Sequence, residues 1–376
     1  MNIAFYAPMK HPGASVPSGD VAIARGIIAA LEQAGHQVDV VSRLRTWQAD
    51  PDPERQLRLA KISRLMAQRL MRRFRARPAA SQPDLWFTYH LYYKAPDWLG
   101  PEVSRALDIP YVVAEASHAP KRADGPWDVG HRAAEAAIRA ADRVFGLNSL
   151  DAACVRPLLD DPAKLVQLRP FMDIPPMIEV DQRIARRDVI AARYRVDGDA
   201  VWLLTVAMMR DDAKLESYRV LADAYSRLTR RDTTLFVVGD GAARERVEKA
   251  FADQKVVFTG RLEGELLASL LDTADIYVWP AVNEAYGMAL LEAQAHGLPV
   301  VAGRAGGVAD IVRDGKTGLL TPEGDAAAMA AAIAGLCDDP TRRNQMGKAA
   351  RHTVVAEHSL TAATAILDGA LREIAA

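Results

Sequence analysis

Short apolar runs, each followed by a loop and a helix-length amphipathic stretch, recur through this chain, and the pattern runs twice. It opens with MNIAFY as a buried strand, then a loop with Pro and Gly, then a helix starting at Ser18 or Gly19. That helix carries Ala24, Ile27, Ile28 and Leu31 on one face and stops at Gly35. QVDVVS from Gln37, LWFTY from Leu85, YVVA from Tyr111 and RVFGL from Arg143 are the next strands. Strands alternating with helices dictate parallel sheets, because a parallel crossover needs a helix-length connection.

The rhythm breaks at Pro170, Pro175 and Pro176 and the charged run DQRIARRD. It resumes with VWLLTVA at Val201, TLFVVG at Thr234, KVVFTG at Lys255, DIYVWP at Asp275 and PVVAG at Pro299, and reads helical after Asp325. The 376 residues suit two α/β domains of roughly 150–200 residues each. The expected division is an N-terminal Rossmann-like domain over 1–175, a linker over 176–198, a C-terminal Rossmann-like domain over 199–356, and a last helix over 357–376 with room to cross back to the first domain. Two such domains are expected to face one another across a cleft, with functional loops at the carboxyl ends of the strands.

Charge and composition exclude several classes. A net charge of −1 creates no field for nucleic acid. Cys154 and Cys337 cannot build a disulfide framework and are expected as small buried hydrophobes in a reducing compartment. The start MNIAFYAPMKHPG lacks the parts of a signal peptide, and no run of 18 apolar residues exists, so a cytoplasmic protein is expected. No His, Cys and Asp cluster has metal-ligand spacing, and neither metal nor cofactor is expected.

The informative stretch is NEAYGMALLEAQAHGLPVVAGRAGG from Asn283, directly after a strand ending at Pro280. A helix starting near Gly287 offers free N–H groups to a diphosphate or a sugar hydroxyl. Glu284 stands before that helix and Glu292 about one and a half turns inside it. A carboxylate accepts two hydroxyls at once, so one can hold a sugar and the other a ribose. The pair alone reads equally as two solvated helix glutamates. Its setting after a strand, around Tyr286-Gly287 and before the Gly306-Gly307 turn, separates it from that reading.

The passage resembles the signature of the retaining glycosyltransferases of family 4, which have the GT-B fold. VVGDGAARERVE from Val237, FTGRLEGELLASLLDTADIYVWPAVNEAYG from Phe258 and DGKTGLLTPEGD from Asp314 are similar to neighbouring family segments. The opening strand, the SGD loop at Ser18 and AGHQVDVVS resemble the family more loosely. The resemblance implies that Glu284 bonds the donor sugar and Glu292 the ribose, while Gly287, Met288 and Ala289 present N–H groups to sugar and phosphate. Gly19 would approach the diphosphate, with Ser18 in place of the family's other loop glycine. Lys214 would neutralise the leaving diphosphate. Its partner arginine departs from the pattern: Met208 takes the usual place, and Arg210, four residues before Lys214, would reach the donor phosphates from a shifted register. His118, a catalytic candidate, and His90 and Glu115, acceptor-side candidates, fall at N-terminal strand ends. The implied reaction is metal-independent sugar transfer, with retention, from a nucleotide-diphosphate sugar to a lipid-linked or glycan acceptor, as in cell-envelope glycan or glycolipid synthesis.

A nucleotide-sugar epimerase of the same fold would share the donor site without an acceptor. A NAD-dependent oxidoreductase fits poorly, because the one Gly-x-Gly after a strand, Gly239-Asp240-Gly241, has Arg244 where a third small residue belongs. A non-catalytic relative is opposed by the intact Glu284, Lys214 and Glu292. Finally, the segment from Arg55 to Arg77 holds nine basic residues and no acidic one. Leu59, Ile62, Met66, Leu70 and Phe74 form one helical stripe, opposite Lys61, Arg64, Arg72 and Arg75. Such a helix can dock peripherally on an anionic membrane, or simply pack its stripe on the sheet.

Overall fold

The computed structural model describes residues 1–15, 19–230 and 232–375; Ser18 therefore lies outside the described residues. The chain forms two compact units, one of 1–172 with 358–376 and one of 173–357.

Unit 1 holds a six-stranded parallel sheet of β1 (Asn2–Tyr6), β2 (Gln37–Val40), β3 (Leu85–Leu91), β4 (Tyr111–Ala116), β5 (Arg143–Gly146) and β6 (Leu165–Gln167) in the order β2-β1-β3-β4-β5-β6. Unit 2 holds β7 (Val201–Val206), β8 (Thr233–Val238), β9 (Val256–Gly260), β10 (Ile276–Trp279), β11 (Val300–Gly303) and β12 (Gly318–Thr321) in the order β12-β11-β10-β7-β8-β9. All these pairings are parallel. Helices join the strands, and the strands read as continuous apolar runs because both faces are covered. Phe5 stacks on Phe87 and Phe87 on Phe145, with ring centroids 5.5 and 6.1 Å apart, which fills one face of the first sheet.

The strands read from the sequence are present within a residue or two. Two further strands, β6 and β12, were not read. Both sit at sheet edges, are three and four residues long, and are too short for a hydrophobic period. The stretch over 176–198, read as a linker, carries a helix, Val180–Tyr194. Arg186 pairs with Asp272, and Arg187 pairs with Asp275 while lying over the Trp202 ring, so this helix is fastened to unit 2. The last helix, Leu360–Ala375, belongs to unit 1 and packs on the helix Gly19–Gln33. His36 meets Asp368 at 3.1 Å on that contact.

Two expectations need correction. Cys154 is exposed, since the helix Ser149–Val155 turns it to solvent; Cys337 is buried. The basic helix, Pro53–Arg75, buries Gln56, Ser63, Ala67, Leu70 and Phe74 rather than the whole expected stripe. Leu59 and Met66 are half-buried, and Ile62 is exposed. The buried row lies to one side of the apolar stripe because it faces two neighbouring helices, Gly100–Leu107 and Asp128–Arg139.

Candidate active site

Open parallel sheets bind ligands beyond the carboxyl ends of strands, where the strand order reverses. In unit 2 that point lies between β7 and β10, and the two strands deliver Lys214 and Glu284 to it. Lys214 is the second residue of the helix Ala213–Ser226, whose start Asp212 caps by accepting from the Lys214 N–H at 2.9 Å. Glu284 lies on the loop after β10. The Lys214 ammonium and Glu284 Oε2 form an ion pair. Trp279, the last residue of β10, donates its indole N–H to the same oxygen at 3.1 Å, and Lys214 Nζ stands 5.1 Å from the Trp279 ring centroid. Only 20 % of the Lys214 side chain and 14 % of the Glu284 side chain reach solvent, so the pair is little screened.

The loop that carries Glu284 is braced on three sides. Val282 N–H donates to Ser217 Oγ at 3.0 Å, Asn283 N–H to Glu323 Oε1 at 2.7 Å, and Gly307 N–H to Ala285 O at 2.8 Å. A Cβ on Gly306 would stand 1.9 Å from the Glu284 carbonyl oxygen, so only glycine allows this approach. Ala281 and Asn283 hold φ of 55° and 48°, a left-handed backbone that costs energy and often marks a functional loop. Gly287 follows with φ 76° and starts the helix Met288–Ala295. The first-turn N–H groups of Met288 and Ala289 are available there, as at any helix start. Glu292 lies farther along the helix; burial holds its carboxyl above the usual range, and His296 works against that shift.

Arg210 does not join this group. It is exposed and pairs with Asp212 at 3.1 Å, because the loop after β7 leaves it beside the capping aspartate. Met208 is also exposed. Trp279 went unnoticed in sequence reasoning; its signal was an aromatic residue closing a strand just before the glutamate motif.

In unit 1 the strand order reverses between β1 and β3. Here His90 Nδ1 lies 3.2 Å from Asp20 Oδ1 and 3.8 Å from Glu115 Oε2. His90 is the last residue but one of β3, with φ 63°, and Glu115 the last but one of β4, with φ 58°. The register sets Tyr89 against Ala114 and Leu91 against Ala116, so the two strained residues stand side by side. Burial disfavours charge on His90, but Glu115 and Asp20 outweigh it and hold the imidazole above its ordinary pKa. Burial raises Glu115, opposed by His90, and the hydrogen bond from His90 lowers Asp20. Asp20 sits in the first turn of the helix that Gly19 opens and was missed; the SGD loop was its only trace. A Cβ on Gly19 would meet nothing within 4 Å. His118, on the loop after β4, has different neighbours: its ring stacks on His131, and its Nε2 faces Glu135.

Residues 200–339 match the family model described as Glycosyl transferases group 1. The chain is 33% identical to the alpha-D-kanosaminyltransferase of Streptomyces kanamyceticus over 196 residues, 50% of each protein. It is 38% identical over 146 residues to the GDP-mannose-dependent alpha-(1-6)-phosphatidylinositol monomannoside mannosyltransferase of Mycolicibacterium smegmatis, 35% of this chain and 38% of that protein. The chain thus spans half or less of the length of these curated relatives. A crystal structure of Anabaena HepE in complex with UDP superposes with a TM-score of 0.70 at 16% identity, covering 99% of this chain and 100% of that one. That likeness establishes the GT-B architecture.

Proposed function

We propose that this chain, whose residues 200–339 match the family model of the group 1 glycosyl transferases, is a member of that family and moves a sugar from a nucleotide-diphosphate sugar to an acceptor hydroxyl with retention at the anomeric carbon. The observation that carries the proposal is the Lys214–Glu284–Trp279 group at the switch point of unit 2, beside the helix start at Gly287. Without donor, Lys214 and Glu284 neutralise one another. A bound diphosphate would draw the ammonium to itself and free a carboxylate oxygen for a sugar hydroxyl, with Trp279 still holding the side chain. The negative charge that grows on the leaving diphosphate would fall on Lys214 and on the N–H groups of Met288 and Ala289, so the transfer itself needs no metal. Glu292 would take the ribose hydroxyls. In retention the acceptor hydroxyl attacks from the side on which the diphosphate leaves and passes its proton to the departing phosphate. His90 and Glu115 are the acceptor-side candidates; His118 is given another role below.

The acceptor class is read from the basic helix. Its exposed face sets Leu57, Ile62 and Leu65, 59 %, 41 % and 54 % exposed, among Arg58, Lys61, Arg64 and Arg69. Among the described residues none of these four cations has an acidic partner. Apolar side chains between unpaired cations suit the interface of an anionic bilayer, each cation near the surface contributing about 1 kcal/mol. A lipid-linked acceptor fits that surface, and a relative named for acting on a phosphatidylinositol mannoside supports it. No helix among the described residues is long and apolar enough to cross a membrane, so attachment would be peripheral.

Two experiments test the proposal. Labelled nucleotide sugars offered with lipid extracts should yield labelled lipid and free nucleoside diphosphate. Sugar interconverted without diphosphate release would mean an epimerase instead. Flotation with vesicles should show binding that needs anionic lipid, weakens with salt and falls when Arg64, Arg72 and Arg75 become Gln. Equal binding to neutral vesicles, or none to anionic ones at low salt, removes the membrane reading.

A further inference from the structure

We infer that His118, His131 and Glu135 form a binding site for one divalent transition-metal ion, with zinc the best match, in unit 1. His131 and Glu135 stand four residues apart on the helix Asp128–Arg139, so their side chains share a face. The loop after β4 brings His118 to the same place. Glu135 Oε2 lies 3.5 Å from His118 Nε2 and 3.9 Å from His131 Nε2, and the three ligand atoms all lie within 4.8 Å of one another. Tetrahedral zinc with bonds of about 2.0–2.1 Å sets its ligand atoms roughly 3.3–3.4 Å apart, so small side-chain rotations close the site.

Several features favour a ligand set over a chance cluster. Both nitrogen–oxygen separations exceed an ordinary hydrogen bond, and His118 Nε2 is buried without one. The two rings stack with centroids 4.9 Å apart and planes 25° apart, and the Nε2 atoms of both face the same carboxylate oxygen, Glu135 Oε2. Arg139 occupies the other oxygen with bonds of 3.0 and 2.9 Å, which leaves Oε2 for the ion and fixes the carboxylate as an outer-shell partner does. Two imidazoles and one carboxylate select zinc, copper or nickel over magnesium and calcium, which prefer oxygen alone. A hollow of about 380 Å³ lined in part by His131, Glu135, Asp124 and Arg132 gives an ion its way in. The ion would tie the loop after β4 to the helix Asp128–Arg139 and leave a fourth position to water. None of this depends on the donor reading, since no residue of unit 2 takes part.

The sequence concealed this site because His118 stands 13 residues before His131 and the His-x-x-x-Glu spacing is common on helices. The test is titration of chelator-treated, dialysed full-length chain with Co²⁺, followed in the visible range. We expect one equivalent per chain, the d–d bands of four- or five-coordinate cobalt, and displacement by Zn²⁺ with a rise in melting temperature. His131→Ala and Glu135→Gln should each weaken binding on the order of 10–100-fold or more, and His352→Ala should leave it unchanged. Absence of saturable binding at micromolar metal, or full-strength binding by His131→Ala, overturns the site. X-ray absorption on the zinc-loaded native chain needs no variant and guards against misfolding. It should count two imidazoles, and fewer than two also overturns the site.

Discussion

The two units answer the same topological problem with opposite electrostatics. At the switch point of unit 2 a cation, a carboxylate and an indole converge in front of a helix start. At that of unit 1 two carboxylates, Asp20 and Glu115, surround one histidine. The first arrangement can receive a dianionic leaving group, because Lys214 trades one anion for another. The second offers hydrogen-bond acceptors around one imidazole, which suits the hydroxyls of the proposed acceptor. One architecture used twice therefore carries two different charge patterns, and the difference resides in a few residues at strand ends.

Lys214→Ala should break the comparison most severely. Removing the charge opposite the leaving group should cost about 10²–10³-fold in kcat, whereas Asp20→Asn should leave nucleotide affinity unchanged. Wild-type turnover in Lys214→Ala would sink the assignment of unit 2 as the donor side. Next comes Glu292→Ala, which under the proposed ribose role would remove the carboxylate that accepts from the ribose hydroxyls. It should raise the nucleotide Kd about 10–100-fold by calorimetry, with a smaller change in kcat at saturating donor. Equal affinity would mean that this carboxylate is merely buried.

A pH series sharpens the unit 1 half. The folded pKa of His90 lies above the unfolded value of about 6.5. The stability it contributes is therefore complete below that value and is lost as pH rises through the folded pKa. Melting temperature should fall over that window, and Asp20→Asn should flatten the fall. An unchanged slope in Asp20→Asn would detach the aspartate from the histidine. The smallest effect expected is that of chelator. It should lower the melting temperature by emptying the His118 site, yet leave donor turnover unchanged at moderate temperature. Turnover abolished by chelator and restored by Mg²⁺ or Mn²⁺ would contradict the metal-free donor chemistry.

The alternation of strands and helices was legible because buried parallel strands must be apolar throughout and because Gly and Pro punctuate the loops. Lys214 and Glu284 were legible as a motif, but their mutual ion pair was not, since 70 residues separate them. Trp279 stood in the sequence only as the end of a strand, and its indole N–H bond to the Glu284 carboxylate had no local signature. Arg210 was placed from its distance along the chain to Lys214, and the sequence did not show that the capping Asp212 pairs with it. His118 was read as a lone strand-end histidine; its partners come from the next helix, and no local pattern joins them. Ile62 shows the same limit at a surface. Periodicity locates an apolar stripe, and only the neighbouring helices decide which edge of it is buried.

The return of the helix Leu360–Ala375 to unit 1 bears on how the protein is made. The ribosome releases residues 1–172 first, but that unit then lacks the helix that covers Gly19–Gln33, and with it the His36–Asp368 and Arg143–Glu373 pairs. Unit 2, begun later, has all its residues once Glu357 has emerged. Domains fold as units during synthesis, so the half that starts first is the half completed last. Until then the nascent chain exposes an apolar helix face that Leu367 and Leu371 will bury.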